Sequence, residues 1–154
     1  MFFAAQFVHY FAWSNIGPVL SISGASALQG WGADSVVLLM AFIAVTAVIN
    51  LLVGSMSAKW AVMAPIFVPM LALLGIPAEA TQAAYRIGDG STNIITPLMP
   101  YFPVVLAFMQ RYQPNMNVGS LMAFMLPYSL ALLIFWSVAL ALWLALGWPL
   151  GPGL

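Results

Sequence analysis

Long apolar stretches alternate along this chain with short polar clusters, and the stretches have helical rather than strand length. Residues 35–53 form one clean apolar run and residues 60–76 another, joined only by Gly54-Ser55-Met56-Ser57-Ala58-Lys59. A connector this short makes the two runs antiparallel neighbours. They are read as a helical hairpin over residues 35–76 with its tip at 54–59. Two full spans would fit the same pattern, but Asn50 and the small polar tip favour a re-entrant hairpin, since non-helical backbone at depth is tolerated where it lines a cavity. Pro65 and Pro69 are expected to shorten or kink the second arm. Residues 118–147 are the plainest membrane helix, with Pro127 as a kink point and Trp143 and Trp148 as anchors at the far end.

Two other segments are less even. Residues 1–29 are apolar but carry Gln6, His9, Ser14, Asn15, Gly17 and Pro18, so this span should break or kink at Asn15-Ile16-Gly17-Pro18. Gly17, Ser21, Gly24 and Ala25 then share a face on which a neighbouring helix can approach closely. Trp31-Gly32-Ala33-Asp34 reads as an interfacial turn. After Gly75-Ile76-Pro77, the residues Glu79, Gln82, Arg86 and Asp89 recur at steps of three, four and three, which is one helical stripe. Gly88-Asp89-Gly90-Ser91-Thr92-Asn93 follows, and an apolar course resumes through Pro97, Pro100 and Pro103. Residues 78–110 therefore read as a broken helix interrupted at 88–93. A polar loop, Arg111-Tyr112-Gln113-Pro114-Asn115-Met116-Asn117, leads to the last span. Met1-Phe2-Phe3-Ala4-Ala5 has no basic region ahead of its apolar run and so is not a signal peptide; it reads as a chain entering a bundle partway.

Composition sharpens this picture. Hydrophobic residues make up 64% and charged residues 4%, with three Lys or Arg against three Asp or Glu and no cysteine. A water-facing surface is about a quarter charged, so lipid must replace water over most of the chain. Three scattered cations form no phosphate-neutralising patch, which excludes nucleic acid as a partner. The cysteine count excludes disulfide scaffolds and Cys zinc sites. Paired carboxylates at bundle spacing, HExxH, GxSxG and phosphate loops are all missing, so an enzyme is not expected. Lys59, Arg86 and Arg111 are too few and too dispersed to set an orientation.

Ionisable groups inside a membrane mark a pathway or a site by default. Arg86 and Asp89, one turn apart, either satisfy each other or act separately, with Arg86 gripping a substrate carboxylate in a bidentate fork and Asp89 orienting it or titrating. Glu79 is read as solvated. Asn50, Ser55, Ser57, Ser91, Thr92, Asn93 and Thr96 concentrate neutral oxygens and amides on the two interruptions, where Gly54 and Gly88 free the backbone. Capping and turn formation account for such residues singly; together they suit a hard cation such as sodium or an anionic substrate group. Lys59 either snorkels to an interface or neutralises a substrate. Trp60 is a belt residue or stacks an aromatic ligand. His9 is read as a satisfied interior histidine. Val53-Gly54-Ser55-Met56-Ser57 and Ile87-Gly88-Asp89-Gly90-Ser91 echo each other, and paired interruptions point to a midplane binding site in secondary transporters.

Two long stretches carry a family resemblance: Asn50-Leu51-Leu52-Val53-Gly54-Ser55-Met56-Ser57-Ala58-Lys59-Trp60-Ala61-Val62-Met63-Ala64-Pro65-Ile66-Phe67-Val68-Pro69-Met70, and Thr81-Gln82-Ala83-Ala84-Tyr85-Arg86-Ile87-Gly88-Asp89-Gly90-Ser91-Thr92-Asn93-Ile94-Ile95-Thr96-Pro97-Leu98-Met99-Pro100-Tyr101. Together they resemble the AbgT family, bacterial inner-membrane transporters of p-aminobenzoyl-glutamate and related folate breakdown products, some of them exporters of sulfonamide antimetabolites. The resemblance runs through nearly the whole chain. It implies an all-α polytopic membrane fold with inverted repeats, re-entrant hairpins, broken helices and a homodimer, of which this chain looks like the C-terminal portion. By motif, Ser57 and Trp60 fall on the hairpin site and Arg86 and Asp89 on the broken-helix site. Two departures stand out: Gly90 where the family commonly has Ser, and a proline at Pro77 where the family's commonly falls at the position of Ala78. The implied function is ion-coupled transport of an aromatic amide bearing carboxylates, held by Arg86 with Trp60 stacking, Asp89 titrating and the Gly-Ser loops closing around it. The coupling ion is a proton or sodium, with possible sodium ligands on those loops and no other cofactor. The rival expectations are a non-transporting membrane interaction subunit and an inactive truncated product.

Overall fold

A computed structural model describes residues 6, 9–10, 13–30, 32 and 34–150. Among these, the regular elements are all helical: α1 (Ile16–Gln29), α2 (Ser35–Leu52), α3 (Met56–Ala72), α4 (Ala78–Thr92), a 3-10 turn (Asn93–Ile95), α5 (Phe102–Tyr112) and α6 (Val118–Ala145). α2 and α6 are long and apolar enough to cross a membrane. The molecule hides its small and polar residues and shows its apolar ones. On α2, Leu39, Phe42, Ile43, Thr46, Ala47 and Asn50 are buried at helical spacing, while Val37, Val45, Val48 and Leu52 face outward. On α6, Phe135, Trp136 and Leu142 are exposed. Such an exterior is at home in hydrocarbon.

α2 packs most extensively against α4, α1 against α3, and α4 against α6. Leu39, Phe42 and Ile43 of α2, Met63 and Leu71 of α3, Ala80, Ala84 and Tyr85 of α4, and Leu140 of α6 form the core. Lipid tails are as apolar as leucine, so these contacts hold by close packing and interhelical hydrogen bonds. Gly88 permits the tightest approach to backbone: a Cβ there would stand 2.6 Å from the Ile43 carbonyl oxygen and 2.8 Å from Thr46 Cβ. Ser21 ties α1 to α3 by donating to the carbonyls of Gly17 (2.8 Å) and Ile66 (2.9 Å).

The expected break near Pro18 falls at Asn15, which caps α1 in the left-handed region at φ 54°. Gly17, Ser21 and Ala25 form the buried face of α1, and Gly24 sits against the Met70 thioether. The rest of the residue 1–29 span, the Trp31 turn and the tail beyond residue 150 lie partly or wholly outside the described residues.

Three boundaries differ from the sequence expectation. The hairpin tip is only Val53 to Ser55, because Ser55 caps α3 by accepting from the Ala58 amide (3.4 Å) and so makes Met56 to Lys59 helical. α3 runs without interruption through Pro65 and Pro69 to the turn at Gly75, whose φ of 80° lets Ile76 N donate back to Leu71 O (3.0 Å). The interruption expected at 88–93 is displaced: α4 stays helical through Gly88, Asp89, Gly90, Ser91 and Thr92, and the chain unwinds only after it, from the 3-10 turn to Tyr101. Glycine inside a helix costs about 1 kcal/mol relative to alanine without ending it, and at Gly88 the close approach of α2 requires it. Pro97, Pro100 and Pro103 deprive the following turns of donors.

Candidate functional site

Both unwound stretches meet at one point. Gly54 in the hairpin tip lies against Leu98 in the break, where a Cβ would come 2.7 Å from the Leu98 carbonyl oxygen. Beside this contact, α2 ends with Asn50 in its last turn, α3 begins with Lys59 in its first, and α4 ends with Asp89 in its last. All three are buried, with Asn50 and Asp89 at 1% exposure and Lys59 at 3%.

The Lys59 ammonium donates to Asp89 Oδ1 in an ion pair and also to Asn50 Oδ1. Asn50 Nδ2 has three acceptors for its two hydrogens: the Asp89 carbonyl (3.0 Å), Thr92 Oγ1 (2.8 Å) and Asn93 Oδ1 (2.9 Å). Asn93 Nδ2 donates to Asp89 Oδ2 at 3.4 Å. Thr96 Oγ1 closes the cluster by donating to the Thr92 carbonyl (2.9 Å) and to the Asn50 carbonyl (3.3 Å), a group left without a partner by the end of α2. Electrostatics explain the pairing. Lys59 sits at the positive end of α3 and Asp89 at the negative end of α4, so each opposes its own helix dipole and depends on the other for compensation.

Tyr85, one turn before Asp89, spans the same junction. Its hydroxyl donates to the Met56 carbonyl (2.7 Å), its ring lies 4.6 Å from that of Trp60, and the Lys59 ammonium is 5.9 Å from its centroid. Trp60 therefore packs on an internal aromatic partner. Ser57 and Ser55 are exposed on the outer side of the first turn of α3.

Arg86 does not join this cluster, so of the two readings of Arg86 and Asp89 the mutually satisfied pair does not form. Arg86 makes no hydrogen bond or ion pair among the described residues and lines a 430 Å³ cavity between α4 and α6. The stripe expected over Glu79, Gln82, Arg86 and Asp89 splits accordingly, its first three members exposed and Asp89 turned inward. Ser91 is anchored at its carbonyl, which accepts from Ser129 Oγ of α6 (2.7 Å), while its own buried hydroxyl has no partner.

The structure thus gathers Asn50, Asp89, Thr92 and Asn93, keeps Gly54 and Gly88 at close backbone approaches, and separates Arg86, Ser55 and Ser57 from them. Sequence reasoning missed the pairing of Lys59, and with it Tyr85. Its signal was the presence of one lysine and one aspartate at the two interruptions of a chain with only 4% charged residues. Among the described residues no three His, Cys, Asp or Glu side chains group as metal ligands. The oxygens suited to a monovalent cation, Asn50 Oδ1 and Asp89 Oδ1, accept from the Lys59 ammonium, so a sodium ion there would have to displace it.

A lipid-compatible helical exterior, two unwound segments in contact and a buried ion pair beside them are the features of a helical membrane protein. The comparisons give the family. Residues 1–154 match the AbgT putative transporter family, and the chain belongs to it. It is 35% identical over 150 residues to the p-aminobenzoyl-glutamate transport protein of Escherichia coli K12, covering 97% of this chain and 30% of that protein. The crystal structure of the Alcanivorax borkumensis YdaH transporter is similar at a TM-score of 0.89 and 60% identity, over 99% of this chain and 32% of that one. The Neisseria gonorrhoeae MtrF structure, described as illuminating a class of antimetabolite efflux pumps, is similar at a TM-score of 0.84 and 52% identity, over 99% of this chain and 30% of that one. The chain spans about a third of the length of these relatives.

Proposed function

We propose that this chain is the C-terminal part of an AbgT-type secondary transporter that carries p-aminobenzoyl-glutamate, or a related aromatic folate catabolite or antimetabolite, across the bacterial inner membrane. The observation that carries the reading is the buried Lys59, Asp89 and Asn50 cluster at the contact between two helix interruptions. A buried charge pair that merely stabilised the bundle would be replaceable by apolar side chains. Placed between two unwound segments, it can change partners when they separate, which is what alternating access requires. A proton or sodium ion competing for the Asp89 carboxylate would couple that separation to a gradient. The hairpin over α2 and α3 would be re-entrant, the fold would be one of two inverted repeats, and the intact transporter would be a homodimer. In this reading Arg86 meets a substrate carboxylate, and Ser57 and Trp60 act from the hairpin.

The test is accumulation of radiolabelled p-aminobenzoyl-glutamate by cells expressing the intact transporter that contains this segment. Arg86→Ala and Asp89→Asn should each abolish substrate-dependent uptake or efflux while the protein still reaches the membrane. Normal transport in both variants would sink the proposal.

A further inference from the structure

The cavity between α4 and α6 has features that bundle packing does not require. Its α4 wall is a helical stripe that includes Ala83, Arg86, Ile87, Gly90 and Ser91, and its α6 wall includes Trp136 and Trp143. At 430 Å³ it falls within the range of about 300–1,000 Å³ typical of small-molecule sites. Three observations on this wall point to a ligand. Among the described residues Arg86 is a cation with no acidic partner, set in a largely apolar cleft. Ser91, 3% exposed, carries a buried hydroxyl without a hydrogen-bond partner. Gly90, between them on the stripe, has nothing within 4 Å of where a Cβ would stand. It contrasts with Gly88, whose missing Cβ is demanded by α2. Gly90 meets no such demand, and its lack of a side chain keeps the cleft wide.

We infer that this cleft is a substrate subsite shared by α4 and α6, which takes an aromatic carboxylate with its anionic group on Arg86 and its ring along Trp136. The inference rests on the transport reading above and deepens it by adding α6 to the binding surface. Arg86 offers a planar fork of donors that matches a carboxylate. Trp136 offers a large ring face at low cost in side-chain freedom. Trp143 closes the far end and is held in place, its indole Nε1 donating to the Pro149 carbonyl (3.2 Å) and its ring 4.9 Å from that of Trp148. The two walls are tied at the base by the bond from Ser129 to the Ser91 carbonyl, which fixes the width of the cleft there. Trp136 and Gly90 are thus specificity-determining positions, the first by stacking and the second by leaving room.

Calorimetric binding to the purified intact transporter tests this, with p-aminobenzoyl-glutamate and its uncharged dimethyl ester as probes. Gly90→Leu should weaken binding of both probes by about tenfold or more while the melting temperature holds or rises, since leucine favours the helix and enters open space. Trp136→Ala should weaken both probes by about tenfold, and Trp136→Phe should retain most of the affinity. Arg86→Ala should weaken the acid and leave the ester unchanged. Wild-type affinity in both Gly90→Leu and Trp136→Ala, with the acid still lost in Arg86→Ala, would overturn the α6 subsite and leave the transport reading standing. A wild-type protein that neither binds nor transports either probe would remove both.

Discussion

Replacing Lys59 by methionine keeps the length of the side chain and removes its charge. Asp89 would then hold its carboxylate at 1% exposure with only the Asn93 amide, at 3.4 Å, left to donate to it, and Asn50 Oδ1 would lose its donor as well. Breaking a buried pair by removing one partner costs about 3–5 kcal/mol, because the remaining charge is stranded. Replacing Asp89 by leucine strands the ammonium by the same argument and at a similar cost. The double variant Lys59→Met with Asp89→Leu strands no charge. Its expected cost is about 1–3 kcal/mol, the price of one unsatisfied amide oxygen on Asn50 and some imperfect packing. The two single effects should therefore exceed the double, with a coupling of at least about 2 kcal/mol. Equilibrium unfolding of the detergent-purified protein in SDS measures all four corners of the cycle. Additive single effects would refute the pairing and the proposed dependence of each charge on the other.

Two further outcomes follow from the geometry. Gly88→Ala should destabilise by about 1–3 kcal/mol in the same unfolding measurement, since its Cβ meets the backbone of α2 at 2.6 Å, whereas Gly90→Ala should stabilise by up to about 1 kcal/mol through helix propensity alone. Tyr85→Phe should cost about 0.5–1.5 kcal/mol by removing the bond to the Met56 carbonyl, and should raise amide exchange in the first turn of α3 relative to the rest of that helix.

What the sequence reveals here depends on range. α2 and α6 are legible because a membrane span is written in consecutive apolar residues, and Asn15, Gly75 and Pro77 mark ends by local chemistry. The site is only half legible. Asn50, Gly54, Thr92 and Asn93 stand out as polar or small residues at interruptions, yet the glycine-rich stretch at 88–91 looks like a break and is a helix, because Gly88 serves the approach of α2 rather than a turn. The prolines at 97, 100 and 103 were the better guide to where the helix ends. Arg86 and Asp89 are neighbours along α4, and proximity in sequence left a mutual pair open beside separate roles. Asp89 points to α2 and α3 while Arg86 faces the α6 side, and the true partner of Asp89 lies 30 residues upstream. No local pattern encodes that choice; it follows from which helices pack together.

The pairing of Lys59 with Asp89 also bears on how the chain enters the bilayer during synthesis. Lys59, in the first turn of α3, emerges from the ribosome before Asp89, and a lone lysine within the membrane is costly until it is paired. α4, with Glu79, Gln82, Arg86 and Asp89 among its fifteen residues, is too short and too polar to enter lipid unaided. It can be stably buried only against an α2 already in place. The order of assembly that this implies is α2 and α3 first and α4 after them, with the Lys59 ammonium uncompensated until Asp89 reaches it. A nascent chain stalled before residue 89 would hold the Lys59 ammonium without its carboxylate partner.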